Sequence, residues 1–331
     1  MKDLFHNVYD VKEQDGRYIP MRFTDRQLAS LGEINPMFEQ FGRCAAGASL
    51  VFDTDAEEIS FSYQYTIRYT KTGGFDVYEN GQLFHNMPLP EETCEGVFRY
   101  RKKSAGTTRI EIYLPANAEM ALWDFCIGAY SPVAAPSGKQ VLYYGDSLTQ
   151  SAYTCTPSLS FATIAARRTS TRFLNRGVGS LFYDERALDE NDNVKPDIIF
   201  CEFGGNDLIR HENGNVVFVE GKVQYNDMED LPLLIAKAEA YLLKLKRIYP
   251  NAKIYVISKI WYAAEVPQQR QIVEDAYIAK IQILTRKLGL PCIDGYTLGA
   301  HIRECHAQDG IHFNALGGVL VADSLVKYIG G

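Results

Sequence analysis

No stretch of this chain approaches the roughly 18 consecutive apolar residues that a bilayer crossing needs, so no membrane span is expected. The first twenty residues, opening Met1-Lys2-Asp3-Leu4-Phe5-His6, are polar and lack the apolar core of a secretory signal. A cytoplasmic protein is expected, with secretion open if a leader has been removed. An excess of basic charge is also missing. The 34 Lys and Arg face 41 Asp and Glu, a net charge of −7, which argues against binding a phosphate backbone as the main task, so no nucleic-acid partner is expected. Paired cysteines are missing too. The seven cysteines are an odd number with no C-x-x-C, which speaks against a disulfide framework or zinc knuckle and fits reduced thiols. His301, Cys305, His306 and His312 lie close in sequence, but their spacing matches no metal site, and neither metal nor cofactor is expected. Low-complexity tracts and internal repeats are absent, and 46% apolar content allows a buried core.

At 331 residues the chain is long enough for two domains, and its periodicity changes partway. In the first 130 residues the signal is strand. Ile59 to Ile67 alternates apolar and polar without a miss, Asn80-Gly81 sits between two short runs as a hairpin turn, and Ile110, Ile112 and Leu114 alternate again before Pro115. No long helix is evident there. A β-sandwich, jelly-roll-like, is expected over 1–133. Ser131 to Lys139 reads as a linker. From 134 to 331, an apolar run at 141–144 and further strand candidates at 172–175, 198–203, 254–258 and 290–294 alternate with helical patterns at 230–249 and 268–288. That pattern implies an α/β domain with a parallel sheet covered on both faces, whose function sits at the carboxyl ends of its strands.

Four stretches could carry chemistry. Gly145-Asp146-Ser147-Leu148-Thr149 follows the first of these strands; Ser147 can be a nucleophile at a strand-to-helix turn, or Asp and Ser can simply cap the helix. Asn175-Arg176-Gly177-Val178-Gly179-Ser180 follows the second, either as backbone that approaches a ligand or as a plain turn. Gly204-Gly205-Asn206-Asp207 follows the third, and the Asn206 amide can donate to an oxyanion. Asp309-Gly310-Ile311-His312 has the spacing at which a carboxylate reaches an imidazole within one turn, and Asn314 is placed to cap the last helix. A nucleophile, oxyanion donors and an Asp–His pair on one sheet edge are hard to attribute to chance.

In combination these blocks resemble the SGNH hydrolases, also called GDSL esterases, over roughly residues 140–331. The resemblance implies a flavodoxin-like three-layer α/β/α domain. It implies Ser147 as nucleophile, His312 as general base and acid, and Asp309 as its orienter. It further implies an oxyanion hole of the Ser147 N–H, a backbone N–H at Gly179 or Ser180, and the Asn206 side chain. The family's oxyanion glycine falls at position 180, where this chain has Ser180, so the choice between those two donors stays open. A G-x-S-x-G elbow, the α/β-hydrolase signature, is absent.

Asp146, Trp261 and Tyr262 are candidate substrate-binding residues, the two aromatics because rings at a strand's carboxyl edge can stack on a sugar or pack as core. Residues 208–230, with a hairpin around Glu220-Gly221, could form a flap or an idle surface hairpin. A sandwich ahead of an SGNH domain resembles bacterial carbohydrate esterases that remove acetyl groups. A serine esterase acting on a small-molecule or oligosaccharide ester is therefore expected, with a possible homo-oligomer. A lipase-, lysophospholipase- or thioesterase-like acylhydrolase is one rival, and a non-catalytic carbohydrate-binding protein the other.

Overall fold

A computed structural model describes residues 1–68 and 70–330; residue 331, the last of the expected second domain, lies outside them. The strand signal of the first half is realised as two antiparallel sheets. One orders its strands Phe5–His6, Ser49–Thr54, Thr108–Tyr113, Gly74–Glu79 and Gln82–Pro88; the other orders Asp10–Gln14, Arg17–Met21, Ala118–Cys126, Glu58–Arg68 and Glu95–Arg101. Alternation aims one face of each sheet at the other. Ile59, Phe61, Tyr63 and Tyr65 point inward from one sheet, and Phe75 and Val77 meet them from the opposite one. Phe61 stacks on Phe98 at 4.6 Å between centroids, and Phe75 presses on both from across the sandwich. Asn80 and Gly81 both take left-handed φ (48° and 83°), the two-residue turn that matches strand twist.

The stretch read as a linker begins as structure. Tyr130–Pro132 adds to the edge of the Ser49–Thr54 strand, pairing Ser131 with Asp53 and Pro132 with Phe52. Proline is tolerated there because an edge strand need not donate on both sides.

The first half also contains two helices that the strand-dominated reading does not anticipate, Asp25–Ile34 and Pro36–Arg43. Their local signals are strong. Thr24 and Gln27 form a reciprocal capping box, with each side chain accepting the other's N–H at 3.0 Å. Asn35 then caps the second helix, accepting from the Met37 N–H at 2.8 Å, with Pro36 in the first helical position. Their apolar faces (Leu28, Leu31, Phe38, Phe41) bypass the sandwich core and share a core with Leu174, Val178 and Leu181 of the second half. Arg22, just ahead of them, is buried and reaches across to donate to the carbonyls of Asn175 (2.7 Å), Gly177 (2.9 Å), Phe41 (2.8 Å) and Cys44 (2.5 Å).

In the second half the continuous apolar runs form a five-stranded parallel sheet. Its order is Arg172–Gly177, Gln140–Gly145, Ile198–Glu202, Lys253–Ile257, Cys292–Ile293, the flavodoxin-like arrangement. Alternate residues feed opposite layers: Val141 and Tyr143 pack under helices Phe161–Thr169 and Ala315–Gly330, and Leu142 and Tyr144 under Leu231–Ile248 and Gln268–Lys287. Among the described residues no helix is long and apolar enough to cross a membrane. The chain reverses its winding between the first strand and its two neighbours, which opens a crevice at their carboxyl ends.

Candidate active site

That crevice collects the four stretches. The Gln140–Gly145 strand ends in a tight turn where Gly145 has no room for a side chain; a Cβ there would meet the Thr149 hydroxyl at 2.2 Å. Ser147 opens the one-turn helix Ser147–Gln150, and Asp146 caps it by accepting from the Leu148 N–H at 2.9 Å. The cap is thus Asp146, and Ser147 stands beside it in the first helical position. Ser147 is 8% exposed.

The loop before the final helix comes to the same point. Asn314 caps that helix, accepting from the N–H groups of Leu316 (3.0 Å) and Gly317 (3.2 Å), and its amide donates to the Glu304 and His306 carbonyls. The His312 Nε2 lies 2.8 Å from Ser147 Oγ, and its Nδ1 lies 2.6 Å from Asp309 Oδ2. Asp309 Oδ1 accepts the N–H groups of Ile311 (2.9 Å) and His312 (3.1 Å). Partial burial works against the Asp309 charge, but these hydrogen bonds outweigh it and hold the carboxyl well below the usual carboxylate range. A carboxylate only accepts, so the proton of the imidazole sits on Nδ1, and Nε2 faces Ser147 as an acceptor.

The expected oxyanion donors come from the second and third blocks and from Ser147 itself. Gly179 spends its N–H on the Gln150 side chain (2.7 Å). Val178 to Leu181 is a turn closed by the Leu181 N–H on the Val178 carbonyl (3.1 Å), with Ser180 left-handed at φ 63°. This explains why glycine suits position 180. The N–H groups of Ser147 and Ser180 have no partner among the described residues. Asn206 donates one amide hydrogen to Asp146 Oδ2 at 2.9 Å, which leaves the second for a ligand.

Of the expected substrate contacts, Asp146 is enclosed, and Trp261 and Tyr262 are partly exposed. Asp146 is 1% exposed, with both carboxylate oxygens occupied by Leu148 and Asn206, so it orients the site from beneath instead of facing a substrate. Tyr262 buttresses the third block: its hydroxyl lies where a Gly205 side chain would begin, and the Lys259 ammonium sits 3.8 Å from its ring centroid. Trp261 meets His306 edge-on at 5.4 Å, and the following Ala263 and Ala264 N–H groups donate to Gly310 (2.7 and 3.0 Å), holding the Asp309–His312 loop. The 208–230 insertion forms two small hairpins, and Asn35 ties the first of them to the N-terminal helices through Gly214 (2.9 Å) and Asn215 (3.0 Å).

Several residues of the site carry no motif. Glu202 is buried beneath Ser147 and accepts from Thr149 at 2.9 Å; burial, and then repulsion from Asp146, raise its carboxyl far above the usual range. Burial likewise raises Asp146. Lys259 and Glu274 form a buried ion pair at 2.6 Å behind Tyr262. Tyr153 stacks on His312 at 3.7 Å between centroids. The one legible hint for Glu202 is a charged residue ending an apolar strand.

The profile of the GDSL-like lipase/acylhydrolase family matches residues 143–318, over half of the chain. No curated protein matches it. Solved structures similar to it include the salicylyl-acyltransferase SsfX3 from a tetracycline biosynthetic pathway (TM-score 0.74, 16% identity, 97% of this chain and 92% of that one). A family two carbohydrate esterase from Cellvibrio japonicus follows at 0.65, 12% identity, 98% and 94%. The acetyl xylan esterase Est2A from the rumen bacterium Butyrivibrio proteoclasticus gives 0.62, 13% identity, 99% and 95%. At such identities the likeness concerns the fold, and it extends over sandwich and α/β half together.

Proposed function

The chain belongs to the GDSL-like lipase/acylhydrolase family, and from that premise we propose that it is a serine esterase removing a short acyl group, acetyl foremost, from a carbohydrate. Carboxylic ester hydrolysis is the family's chemistry. The observation that carries the reading is the unbroken chain from Ser147 Oγ to His312 Nε2 (2.8 Å) and from His312 Nδ1 to Asp309 (2.6 Å).

In this mechanism Ser147 Oγ attacks the ester carbonyl carbon as its proton passes to His312 Nε2. The carbonyl electron pair moves onto oxygen, and that oxyanion is received by the N–H groups of Ser147 and Ser180 and by the Asn206 amide. Asp309 stabilises the imidazolium. His312 then protonates the departing alkoxide, which leaves an acetyl-Ser147 ester. Water attacks that ester with His312 as base, releasing acetate and restoring the serine.

The short acyl group is supported by size. The pocket between Ser147, Tyr153, Phe161 and His312 has a volume of about 10 Å³, room for roughly one water- or methyl-sized group. The carbohydrate assignment draws on the two-domain likeness to carbohydrate esterases. Acetate release from aryl acetate, longer aryl esters and acetylated xylo- or gluco-oligosaccharides tests all parts of the proposal. Ser147→Ala should lower turnover by about 10³-fold or more with the fold intact. Preference for long acyl chains would replace the acetyl reading with a lipid one. Absence of serine-dependent release from every ester would leave a binding protein.

A further inference from the structure

The one-turn helix behind Ser147 ends at Ser151, which is left-handed (φ 60°), and the chain then leaves the α/β half. Residues 152–158 run along the sandwich, and sandwich side chains grip them. Thr70 Oγ1 donates to the Ala152 carbonyl at 3.0 Å, and Asn86 Nδ2 donates to the Cys155 carbonyl at 3.0 Å. At the far end Asp76, fully buried, accepts both the N–H (2.9 Å) and the hydroxyl (2.5 Å) of Ser158, and the Tyr78 hydroxyl donates to Ser158 Oγ at 3.1 Å. Asn86 also donates to Asp76 at 2.7 Å, which joins the two grips into one network. Between them stands Tyr153, its ring nearly parallel to the His312 imidazole (17°) with 3.7 Å between centroids.

An imidazole held only at Nδ1 and Nε2 can swing about the line through its two hydrogen bonds, and the Asp309 anchor is itself a third exposed. A flat ring against one face blocks that swing and keeps the Nε2 lone pair in line with Ser147 Oγ. The same ring face attracts the imidazolium that forms when Nε2 takes the proton, an attraction absent from the ground state.

We propose that the β-sandwich is part of the esterase apparatus: by gripping residues 152–158 it holds Tyr153 flat on His312, and Tyr153 is a positioning residue for the proton transfers between His312 and Ser147. This rests on the reading of Ser147 and His312 as an acyl-transfer pair. It gives the sandwich a role in turnover that needs no sugar contact.

The test uses the full chain with Tyr153→Leu, Tyr153→Phe, Asn86→Ala and the double variant Tyr153→Leu/Asn86→Ala. Two readouts are compared, kcat and KM on aryl acetate and the ring-proton resonances of His312 by NMR at fixed pH. Tyr153→Leu should lower kcat about tenfold with KM within about twofold, and Tyr153→Phe, which keeps the ring, should restore it. Asn86→Ala, remote from the ester, should lower kcat about threefold and add nothing in the Tyr153→Leu background. The upfield ring-current shift of His312 should persist in Tyr153→Phe, vanish in Tyr153→Leu and shrink in Asn86→Ala. Unchanged kcat in Tyr153→Leu would overturn the positioning role, and so would a rise confined to KM, which marks a substrate contact. An unchanged His312 resonance in Asn86→Ala would overturn the grip. A wild type without Ser147-dependent turnover would remove the esterase reading itself, and the His312 resonances would then decide the grip on their own.

Discussion

If Asn206 supplies an oxyanion donor, Asp146 decides which way its amide faces, and a nearly isosteric change exposes this. In Asp146→Asn the retained oxygen still accepts the Leu148 N–H, now at 2.9 Å, so the helix that carries Ser147 keeps its cap. The other oxygen, which accepts from Asn206 at 2.9 Å, becomes an NH₂ facing an NH₂. Asn206 can relieve the conflict only by turning, which aims its carbonyl at the oxyanion position. Removing one oxyanion donor costs about 10²–10³ in kcat, or about 2.7–4 kcal/mol. Asn206→Ala should show that full loss, and Asp146→Asn a loss between about tenfold and that limit. Stability should move the other way. Burial raises the Asp146 carboxyl above the ordinary carboxylate range, so its ionised form is a cost to the fold that grows as pH rises, and asparagine removes the cost. Thermal unfolding of Asp146→Asn at pH 8 should therefore occur at or above the wild-type temperature while kcat falls. In the double variant Asp146→Asn/Asn206→Ala, kcat should stay within about twofold of Asn206→Ala alone, because both changes remove the same donor. Wild-type kcat in Asp146→Asn, or multiplicative losses in the double variant, would refute the reasoning.

Ser180→Gly should keep kcat within about twofold and unfold no earlier than wild type, since the N–H is retained and a left-handed serine costs on the order of 1 kcal/mol; a loss of tenfold or more would show that the hydroxyl is what matters. Asp207 keeps one oxygen on the Tyr183 N–H (3.0 Å) and the other buried without a partner among the described residues, and burial raises its carboxyl from 3.8 to about 7. The stability it contributes is full below its ordinary value and lost as pH rises to about 7, so Asp207→Asn should gain about 2–4 kcal/mol in urea unfolding at pH 8 and nothing near pH 4. Arg176 is wholly buried on Asp192, and the same Nη1 lies within hydrogen-bond reach of the Tyr144 (2.7 Å) and Tyr249 (3.1 Å) hydroxyls. Arg176→Met should cost about 3–5 kcal/mol by stranding the Asp192 charge, and adding Asp192→Leu should recover much of it; equal losses in single and double variants would contradict this.

Periodicity and turn chemistry are local, and they sufficed for much of this protein. Alternation at Ile59–Ile67 and the Asn80-Gly81 turn announced antiparallel strands. The apolar runs at 141–144 and 198–201 announced a sheet buried on both faces, because only such strands need no polar side. The resemblance of four short blocks to one family then placed Ser147, Asn206, Asp309 and His312 at one sheet edge, where the structure brings them together. The helices at 25–43 were also legible, through the Thr24–Gln27 box and Asn35-Pro36, but the surrounding strand pattern masked them. What no local pattern carries is the pairing of distant groups. Between Gly179 and Ser180, the Gln150 side chain and the φ of one residue decide which N–H stands free. Asp146 turned inward because Asn206, sixty positions away in sequence, needs an acceptor. Tyr153 lies against His312 in a segment whose Ala152, Cys155 and Ser158 are bonded by four sandwich side chains, Thr70, Asn86, Asp76 and Tyr78. These are long-range choices among competing hydrogen-bond partners, and burial settles them: once water is excluded, a polar group must take whichever partner the packed chain brings within reach.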